Sequence, residues 1–159
     1  MGCVINLYCG NFMLEITKIV EWDMGHRVPN HKHKCANPHG HRYRLELTVT
    51  GLVSEQKGSS SEGMVVDFSD IKKAMMDRIH EPLDHCFMAY EEDPVAKVLM
   101  NEFGGDLDIK LVPFIPTAEN IVQWCVAQLS PCFSSNITIS RCRLYETPKS
   151  WAEYTAEGS

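Results

Sequence analysis

Residues 39–50 read HGHRYRLELTVT, and their side chains alternate strictly between two sets. Tyr43, Leu45, Leu47 and Val49 share one parity, whereas from residue 42 onward the other parity carries only charged residues and threonines. This alternation predicts a β-strand with one buried face. A half-buried strand needs a second layer to cover its apolar side, so this stretch decides the fold class.

Other extended segments flank this strand, which we predict over residues 42–53. A first strand is predicted over residues 13–22. A final strand is predicted over residues 136–146, where a change of apolar parity indicates a bulge. Residues 107–114 are also assigned as extended.

Three segments show apolar residues at helical spacing. Asp67 is placed to cap the first helix, which Pro82 helps to end. The second helix is predicted over residues 94–103. The third begins at Thr117, its predicted N-cap, and ends near Pro131. The residues predicted to face inward are Phe68, Ile71, Met75 and Ile79 in the first helix, Val95, Val98, Leu99 and Phe103 in the second, and Ile121, Trp124, Cys125 and Leu129 in the third.

The order of these elements predicts an α+β fold, an antiparallel sheet with helices on one face. We expect one domain over residues 13–159, preceded by an N-terminal extension over residues 1–12. The uncovered face of the sheet and its short edges favour pairing between subunits, so an oligomer is expected.

Composition excludes several functional classes. The 159 residues are 44% apolar and 23% charged, and no apolar run approaches the length of a membrane span. The net charge of −6 argues against nucleic acid as a partner. Seven cysteines without a C-x-x-C pair indicate reduced thiols, so a cytoplasmic protein is expected.

Histidines at the start of the 39–50 strand predict a metal site. His39 and His41 are two residues apart, so their side chains point to the same face of the strand and can converge on one ion. Spacing alone leaves the third ligand open between His26 and the nearer His31 and His33, whose flanking lysines would repel a cation. Three protein ligands with one open position are typical of catalytic Zn²⁺.

Six motifs in this order resemble the 6-pyruvoyl-tetrahydropterin synthase and 6-carboxytetrahydropterin synthase family. They are Gly25-His26-Arg27, Cys35 with His39-Gly40-His41, Gly63-Met64-Val65-Val66-Asp67-Phe68, Leu83-Asp84-His85, Pro116-Thr117-Ala118-Glu119-Asn120 and Tyr145-Glu146-Thr147. The resemblance covers roughly residues 14–154. The chain departs from the family between residues 85 and 116, where it is longer than compact bacterial members.

The resemblance implies a tunnelling fold, in which three subunits pool their sheets into a barrel and two trimers stack into a homohexamer. It also implies active sites between subunits. The family's metal is Zn²⁺, and the residues matching its ligands are His26, His39 and His41.

The same resemblance implies roles for further residues. Cys35 matches the general base, acting as thiolate, and Asp84 with His85 matches a second proton-handling group. Because residues adjacent in sequence need not bond each other, His85 is expected to pair either with its own Asp84 or with that of a neighbouring subunit. Glu146 matches the residue that anchors the pterin ring, while Thr117 and Glu119 are expected to shape the pocket wall.

The spacing between Cys35 and His39 resembles that of the 6-carboxytetrahydropterin synthases of the 7-deazaguanine (queuosine precursor) route. The implied reaction converts 7,8-dihydroneopterin triphosphate to 6-carboxy-5,6,7,8-tetrahydropterin, acetaldehyde and triphosphate. Two alternatives stay open. One is the 6-pyruvoyl-tetrahydropterin reaction on the same substrate, and the other is a non-catalytic, zinc-stabilised assembly protein.

Overall fold

The structure is a computed structural model that describes residues 12–156. The N-terminal extension expected over residues 1–12 therefore lies outside the described residues, apart from Phe12. Within residues 12–156, no helix is long and apolar enough to cross a bilayer.

Six strands of the described chain form one sheet. They are β1 (Met13–His26), β2 (His39–Leu52), β3 (Phe87–Tyr90), β4 (Ile109–Val112), β5 (Thr138–Thr147) and β6 (Ser150–Thr155). Their order across the sheet is β4-β3-β1-β2-β5-β6. The pairs β1–β2, β2–β5 and β5–β6 are antiparallel, as the sequence predicts, whereas β3 pairs in parallel with both β1 and β4. The sheet is therefore mixed.

The described residues form three helices of eight residues or more: α1 (Phe68–Met75), α2 (Pro94–Phe103) and α3 (Ala118–Leu129). A π-helical turn (Met76–His80) and a short turn (Glu81–Leu83) continue α1, and 3₁₀ turns cover Lys34–Ala36 and Ser130–Cys132. Both predicted N-caps are confirmed. The Asp67 carboxylate accepts from Ser69 N at 2.7 Å, and the Thr117 hydroxyl accepts from Asn120 N at 3.4 Å.

The hairpin of β1 and β2 forms the centre of the sheet. Its strands pair along their full length, from Met13 opposite Leu52 to His26 opposite His39. The predicted bulge is confirmed, because the register between β2 and β5 shifts between Thr48 and Val49. This hairpin ends at the three candidate ligands, so its register fixes their relative positions.

The core lies between the sheet and the helices, as predicted from the alternation in β2. Tyr43, Leu45, Leu47 and Val49 are fully buried. The helical side chains that cover them belong to α1, the turn after it and α3: Ile71, Met75, Ile79, Ile121, Cys125 and Leu129. The predicted fold class, a sheet with helices on one face, is confirmed.

The inward face predicted for α2 is wrong. Val95, Val98 and Phe103 are 37%, 58% and 49% exposed, and Ala96 is the buried residue of this helix. Phe68, predicted inward at the start of α1, is also exposed. Helical spacing identifies an apolar stripe, but it does not say whether the chain itself supplies a surface to cover it.

Two short strands were missed by the sequence analysis. β3 has four residues, too few for an alternation to be distinguished from a loop, and β6 follows the predicted last strand after a two-residue turn. β4 lies inside the segment assigned as extended, which confirms that assignment.

Candidate metal centre and active site

The end of the β1–β2 hairpin brings His26, His39 and His41 together. His26 lies directly opposite His39 in the register, and His41 is on the same face of β2. The ring centroids are 4.5 Å apart for His26 and His39, 5.3 Å for His26 and His41, and 5.0 Å for His39 and His41. One nitrogen of each ring lies within 4.8 Å of the others, so the three could hold a metal ion.

Backbone carbonyls orient two of these rings. His26 Nδ1 lies 2.7 Å from Pro116 O, and His39 Nδ1 lies 2.8 Å from Asn37 O. A carbonyl can only accept, so each Nδ1 carries the proton and each Nε2 of the neutral ring keeps its lone pair. Metal-ligating histidines typically hold their second ring nitrogen in this way.

The inward nitrogens have the properties of metal ligands. Among the described residues, His26 Nε2 and His41 Nε2 are buried without a hydrogen-bond partner. Burial lowers the pKa of both His26 and His41, so the neutral, ligating form is favoured near pH 7. Three neutral imidazoles suit Zn²⁺, so the residues present fit this metal.

Glu146 adds a carboxylate to the same cluster. It lies on β5, next to Tyr145, which pairs with Arg44 of β2. Glu146 Oε1 is 3.5 Å from His26 Nε2 and 4.0 Å from His41 Nε2. The residue matched to a pterin anchor therefore lies against the candidate metal ligands.

His31 and His33, the alternatives for the third ligand, lie elsewhere. Their rings are 5.8 Å apart on an exposed loop, where His33 N donates to His31 Nδ1. Neither belongs to the cluster of converging nitrogens. The geometry therefore selects His26, whose place at the end of β1 depends on long-range strand pairing.

Cys35 lies on the 3₁₀ turn that leads into β2 and is half-buried. It is not one of the residues whose ligand atoms converge. Two backbone contacts hold the turn: Val28 N donates to Cys35 O at 2.8 Å, and Arg27 Nε donates to Ala36 O at 2.8 Å. The turn is thus tied to the residues that directly follow His26.

The Arg27 guanidinium is itself fixed by a buried carboxylate. Arg27 Nη1 lies 2.7 Å and 2.9 Å from the two oxygens of Asp93, whose side chain is 1% exposed. Asp93 also caps α2 by accepting from Val95 N. The sequence analysis did not predict this pair. Its only indication of a role for Arg27 was that this residue belongs to the Gly25-His26-Arg27 motif.

Asp84 and His85 bond each other within one chain. His85 Nδ1 lies 2.9 Å from Asp84 Oδ2, and Asp23 N donates to Asp84 Oδ1 at 3.1 Å. These contacts, the Asp23 amide foremost, lower the pKa of Asp84 and keep it ionised. The carboxylate can therefore orient the imidazole and stabilise its protonated form.

The backbone of His85 is in the left-handed region, with φ at 63°. A hydrogen bond from His85 N to Asp23 O, at 2.6 Å, holds this uncommon conformation. The side chain is 78% exposed, so its second nitrogen is accessible to a bound molecule. Strained backbone of this kind is often found at functional sites.

Two clefts meet at His41. One, of about 390 Å³, is bordered by Asp23, His41 and His85, and the other, of about 510 Å³, by His41 and Glu146. His41 thus borders one cleft with His85 and the other with Glu146. The phenol of Tyr43, which sequence reasoning read only as core, is buried with its ring 5.9 Å from His26 and 5.8 Å from His41.

Thr117 and Glu119 occupy different surroundings. Thr117 follows Pro116, whose carbonyl orients His26, so the start of α3 contributes to the metal centre through its backbone. Glu119 lines a groove between α3 and β6 with Trp151 and Glu153. Within the described chain, this groove is separate from the clefts at His41.

Comparisons with known proteins identify the family to which this chain is similar. The sequence profile of the family described as 6-pyruvoyl tetrahydropterin synthase matches residues 15–157. The chain is 35% identical over 144 residues to a 6-carboxy-5,6,7,8-tetrahydropterin synthase of Haemophilus influenzae, covering 89% of this chain and 99% of the relative. A protein of the same name from Rickettsia felis is 32% identical over 143 residues, with 89% and 99% covered.

Solved structures agree on the fold. The 6-pyruvoyl tetrahydropterin synthase of Caenorhabditis elegans superposes with a TM-score of 0.64 at 22% identity, covering 91% of this chain and 96% of that one. The resemblance inferred from the six motifs is confirmed.

Proposed function

This chain belongs to the 6-pyruvoyl tetrahydropterin synthase family, and on that premise we propose that it is a zinc-dependent 6-carboxy-5,6,7,8-tetrahydropterin synthase. The substrate is 7,8-dihydroneopterin triphosphate, and the products are 6-carboxy-5,6,7,8-tetrahydropterin, acetaldehyde and triphosphate. The relatives' names support the class, a pterin-forming lyase, and the short spacing from Cys35 to His39 supports this member of it.

The observation that carries the proposal is the convergence of His26, His39 and His41, of which His41 borders two clefts. Zn²⁺ bound there would supply Lewis acidity, which lowers the pKa of hydroxyl groups on the substrate's side chain. The three imidazoles are neutral ligands, so they leave the ion's full charge for that purpose.

Proton transfer is assigned to two groups. Cys35, as thiolate on its braced turn, takes a proton from the substrate's side chain. His85 exchanges protons through its exposed nitrogen, while the ionised Asp84 holds Nδ1 and fixes the tautomer. Cys35 precedes the candidate ligand His39 in the chain. His85 borders the same cleft as the candidate ligand His41.

Glu146 recognises the ring. Its carboxylate can accept two parallel hydrogen bonds, from the amino group and the adjacent N–H of the pterin. A molecule without these donors would leave the acid unpaired, so this contact selects pterins. Thr117 and Glu119 are proposed to shape the wall of the pocket from a neighbouring subunit, because within one chain Glu119 lines a separate groove.

The reaction needs no nicotinamide or flavin. Ring reduction and side-chain oxidation are internal to one molecule, and the atoms balance when one water is consumed. The reaction therefore requires from the protein only metal binding, orientation and proton transfer.

We further propose that the active form is a cytoplasmic homohexamer, built as a dimer of trimers. Among residues 12–156, β4 and β6 are the edge strands of the sheet and the helices lie on one of its faces, which supports an assembly. Light scattering after gel filtration tests it, and a monomer at micromolar concentration would contradict it.

The reaction is tested by incubating zinc-loaded protein with 7,8-dihydroneopterin triphosphate. We expect equal amounts of acetaldehyde and 6-carboxytetrahydropterin by mass spectrometry. Cys35→Ala should abolish both, and Cys132→Ala, which removes an exposed thiol on the turn after α3, should change neither. Triphosphate release without acetaldehyde would establish the pyruvoyl reaction instead. If the metal-loaded protein shows no turnover, the non-catalytic, zinc-stabilised assembly protein is the alternative that remains.

A further inference from the structure

The segment that carries the candidate metal ligands has an unusual charge distribution. Residues 24–45 contain no aspartate or glutamate, although the chain as a whole has a net charge of −6. The same segment holds five of the chain's 15 lysines and arginines. The proposed function uses three histidines of this segment, but it assigns no role to the lysines.

Only two of these five cations lack a carboxylate partner within the described chain. The three arginines each lie against an acid: Arg27 against Asp93, Arg42 against Glu21 and Asp23, and Arg44 against Glu46. No carboxylate of residues 12–156 lies within ion-pair distance of Lys32 or Lys34, and both residues are exposed. Their charge is therefore available to an anion from solution.

The loop that bears Lys32 and Lys34 is held by its own hydrogen bonds. Asn37 N donates to Lys34 O at 2.9 Å, and His33 N donates to His31 Nδ1 at 3.1 Å. Because Nδ1 of His31 accepts this bond, the proton of its neutral ring lies on Nε2, which can donate to a phosphate oxygen. A loop that is ordered before binding loses less conformational entropy when it binds a ligand.

The order of the chain places these lysines next to the reacting part of the substrate. Lys34 precedes Cys35, which the proposed function places at the substrate's side chain, and the triphosphate is attached to the end of that side chain. Lys34 is also five residues from the candidate ligand His39, so at most about 18 Å separates their Cα atoms. The 3₁₀ turn at Lys34–Ala36 shortens this distance further. The triphosphate of a substrate bound at the metal is therefore within reach of the loop.

The opposite border of the site is unfavourable for a polyanion. Asp23 lines the cleft of about 390 Å³, and its backbone N donates to the ionised Asp84. Arg42 is the only lysine or arginine among the described residues that line this cleft, and it is bound by Glu21 and Asp23. Carboxylates on this side would repel a triphosphate, whereas the loop contains none.

We propose that Lys32 and Lys34, assisted by His31, bind the triphosphate group of the substrate. Ammonium groups form strong charge-assisted hydrogen bonds to phosphate oxygens, so the loop distinguishes 7,8-dihydroneopterin triphosphate from the same pterin without phosphates. This inference rests on the proposed function, because it names the residues that bind one part of the proposed substrate.

Ligand affinity tests this assignment without turnover. Isothermal titration calorimetry is carried out on zinc-loaded Cys35→Ala protein, in which the proposed reaction is blocked, with 7,8-dihydroneopterin triphosphate and with 7,8-dihydroneopterin. Adding Lys32→Gln and Lys34→Gln should lower the affinity for the triphosphate by about tenfold or more. The affinity for 7,8-dihydroneopterin should stay within about twofold, because this ligand has no group for the lysines to bind.

Two pairs of substitutions in the same background serve as controls. Lys57→Gln with Lys72→Gln removes the same charge from exposed positions outside residues 24–45. Because salt screens distant charges, the triphosphate affinity of this control should change by no more than about twofold. Lys32→Arg with Lys34→Arg keeps both charges and should retain most of the triphosphate affinity.

The inference and the proposed function fail differently. Unchanged triphosphate affinity after Lys32→Gln with Lys34→Gln, or an equal loss for both ligands, would overturn the inference. An equal loss in the Lys57→Gln and Lys72→Gln control would also overturn it, because net charge alone would then explain the effect. If wild-type protein forms no product, the proposed function fails, but lysine-dependent binding of the triphosphate would still support the role of the loop. Protein that binds neither ligand would contradict both.

Discussion

Removing Asp93 from its buried ion pair with Arg27 should strongly destabilise the folded protein near the candidate site. Asp93→Ala removes the buried partner of a guanidinium whose own side chain is 13% exposed. Breaking a buried pair from one side typically costs about 3–5 kcal/mol, because the remaining charge stays desolvated. The same substitution removes the N-cap of α2, so we expect the free energy of unfolding to fall by about 4 kcal/mol.

Two companion variants separate the causes. Asp93→Asn keeps an acceptor for Val95 N and for Arg27 but removes the charge, so a smaller loss of about 2 kcal/mol is expected. Glu91→Ala, at an exposed position on the same loop, should stay within about 0.5 kcal/mol of the wild type.

The assay is urea unfolding of metal-free protein, at one protein concentration because assembly shifts apparent stability. Since Arg27 also holds the carbonyl of Ala36, turnover should fall in Asp93→Ala while zinc content is retained. A loss below about 1 kcal/mol would refute the reasoning, because it would mean that Arg27 finds solvent or another partner once Asp93 is gone.

Three further predictions concern the metal centre and the folded state. Gly40→Ala would place a Cβ 3.1 Å from Met24 O, between the strands that carry the ligands, and should weaken zinc binding in chelator competition. Gly51→Ala is the comparison variant. Its Cβ would lie 2.7 Å from the Ile137 side chain, so it should lower stability and leave zinc affinity unchanged. Removing zinc with a chelator should lower the melting temperature reversibly, and a chelator effect of equal size in His26→Ala would contradict the assignment. The pKa of Asp67 is lowered because Ser69 N donates to it, so its contribution is present above the unfolded pKa near 3.8 and is lost as the pH falls through the folded pKa. The stability advantage of wild type over Asp67→Asn should therefore shrink between pH 5 and pH 3 in urea titrations, and a constant difference would contradict the cap's role.

Sequence patterns predicted what depends on local periodicity. Strict alternation after His39 identified β2, and Asp67 and Thr117 identified the starts of two helices, because caps and pleats are set by neighbouring residues. The pair His39 and His41 followed from the same alternation. Six motifs in order then identified the family, which the comparisons confirmed.

These local patterns could not predict contacts between residues that are distant in the chain. Strand register decides that His26 lies opposite His39, and spacing alone could not choose it over His31 or His33. The parallel pairing of β3 depends on a backbone contact from Gly25 N to Cys86 O. The Arg27–Asp93 pair joins residues that are 66 positions apart, and no local pattern reports such a contact.

The exposed stripe of α2 shows a related limit. Its apolar spacing resembles that of a buried helix face, yet Val98 and Phe103 are about half exposed within the described chain. Burial depends on what lies opposite, so a single sequence cannot say whether a stripe faces its own core.

We propose that His26, His39 and His41 hold one zinc ion through their Nε2 atoms. The most direct measurement is a crystal structure with anomalous diffraction data on both sides of the zinc absorption edge. We expect one strong anomalous peak among the three nitrogens, at about 2.0–2.1 Å from each. Ordered imidazoles without such a peak, in crystals grown with zinc, would contradict it.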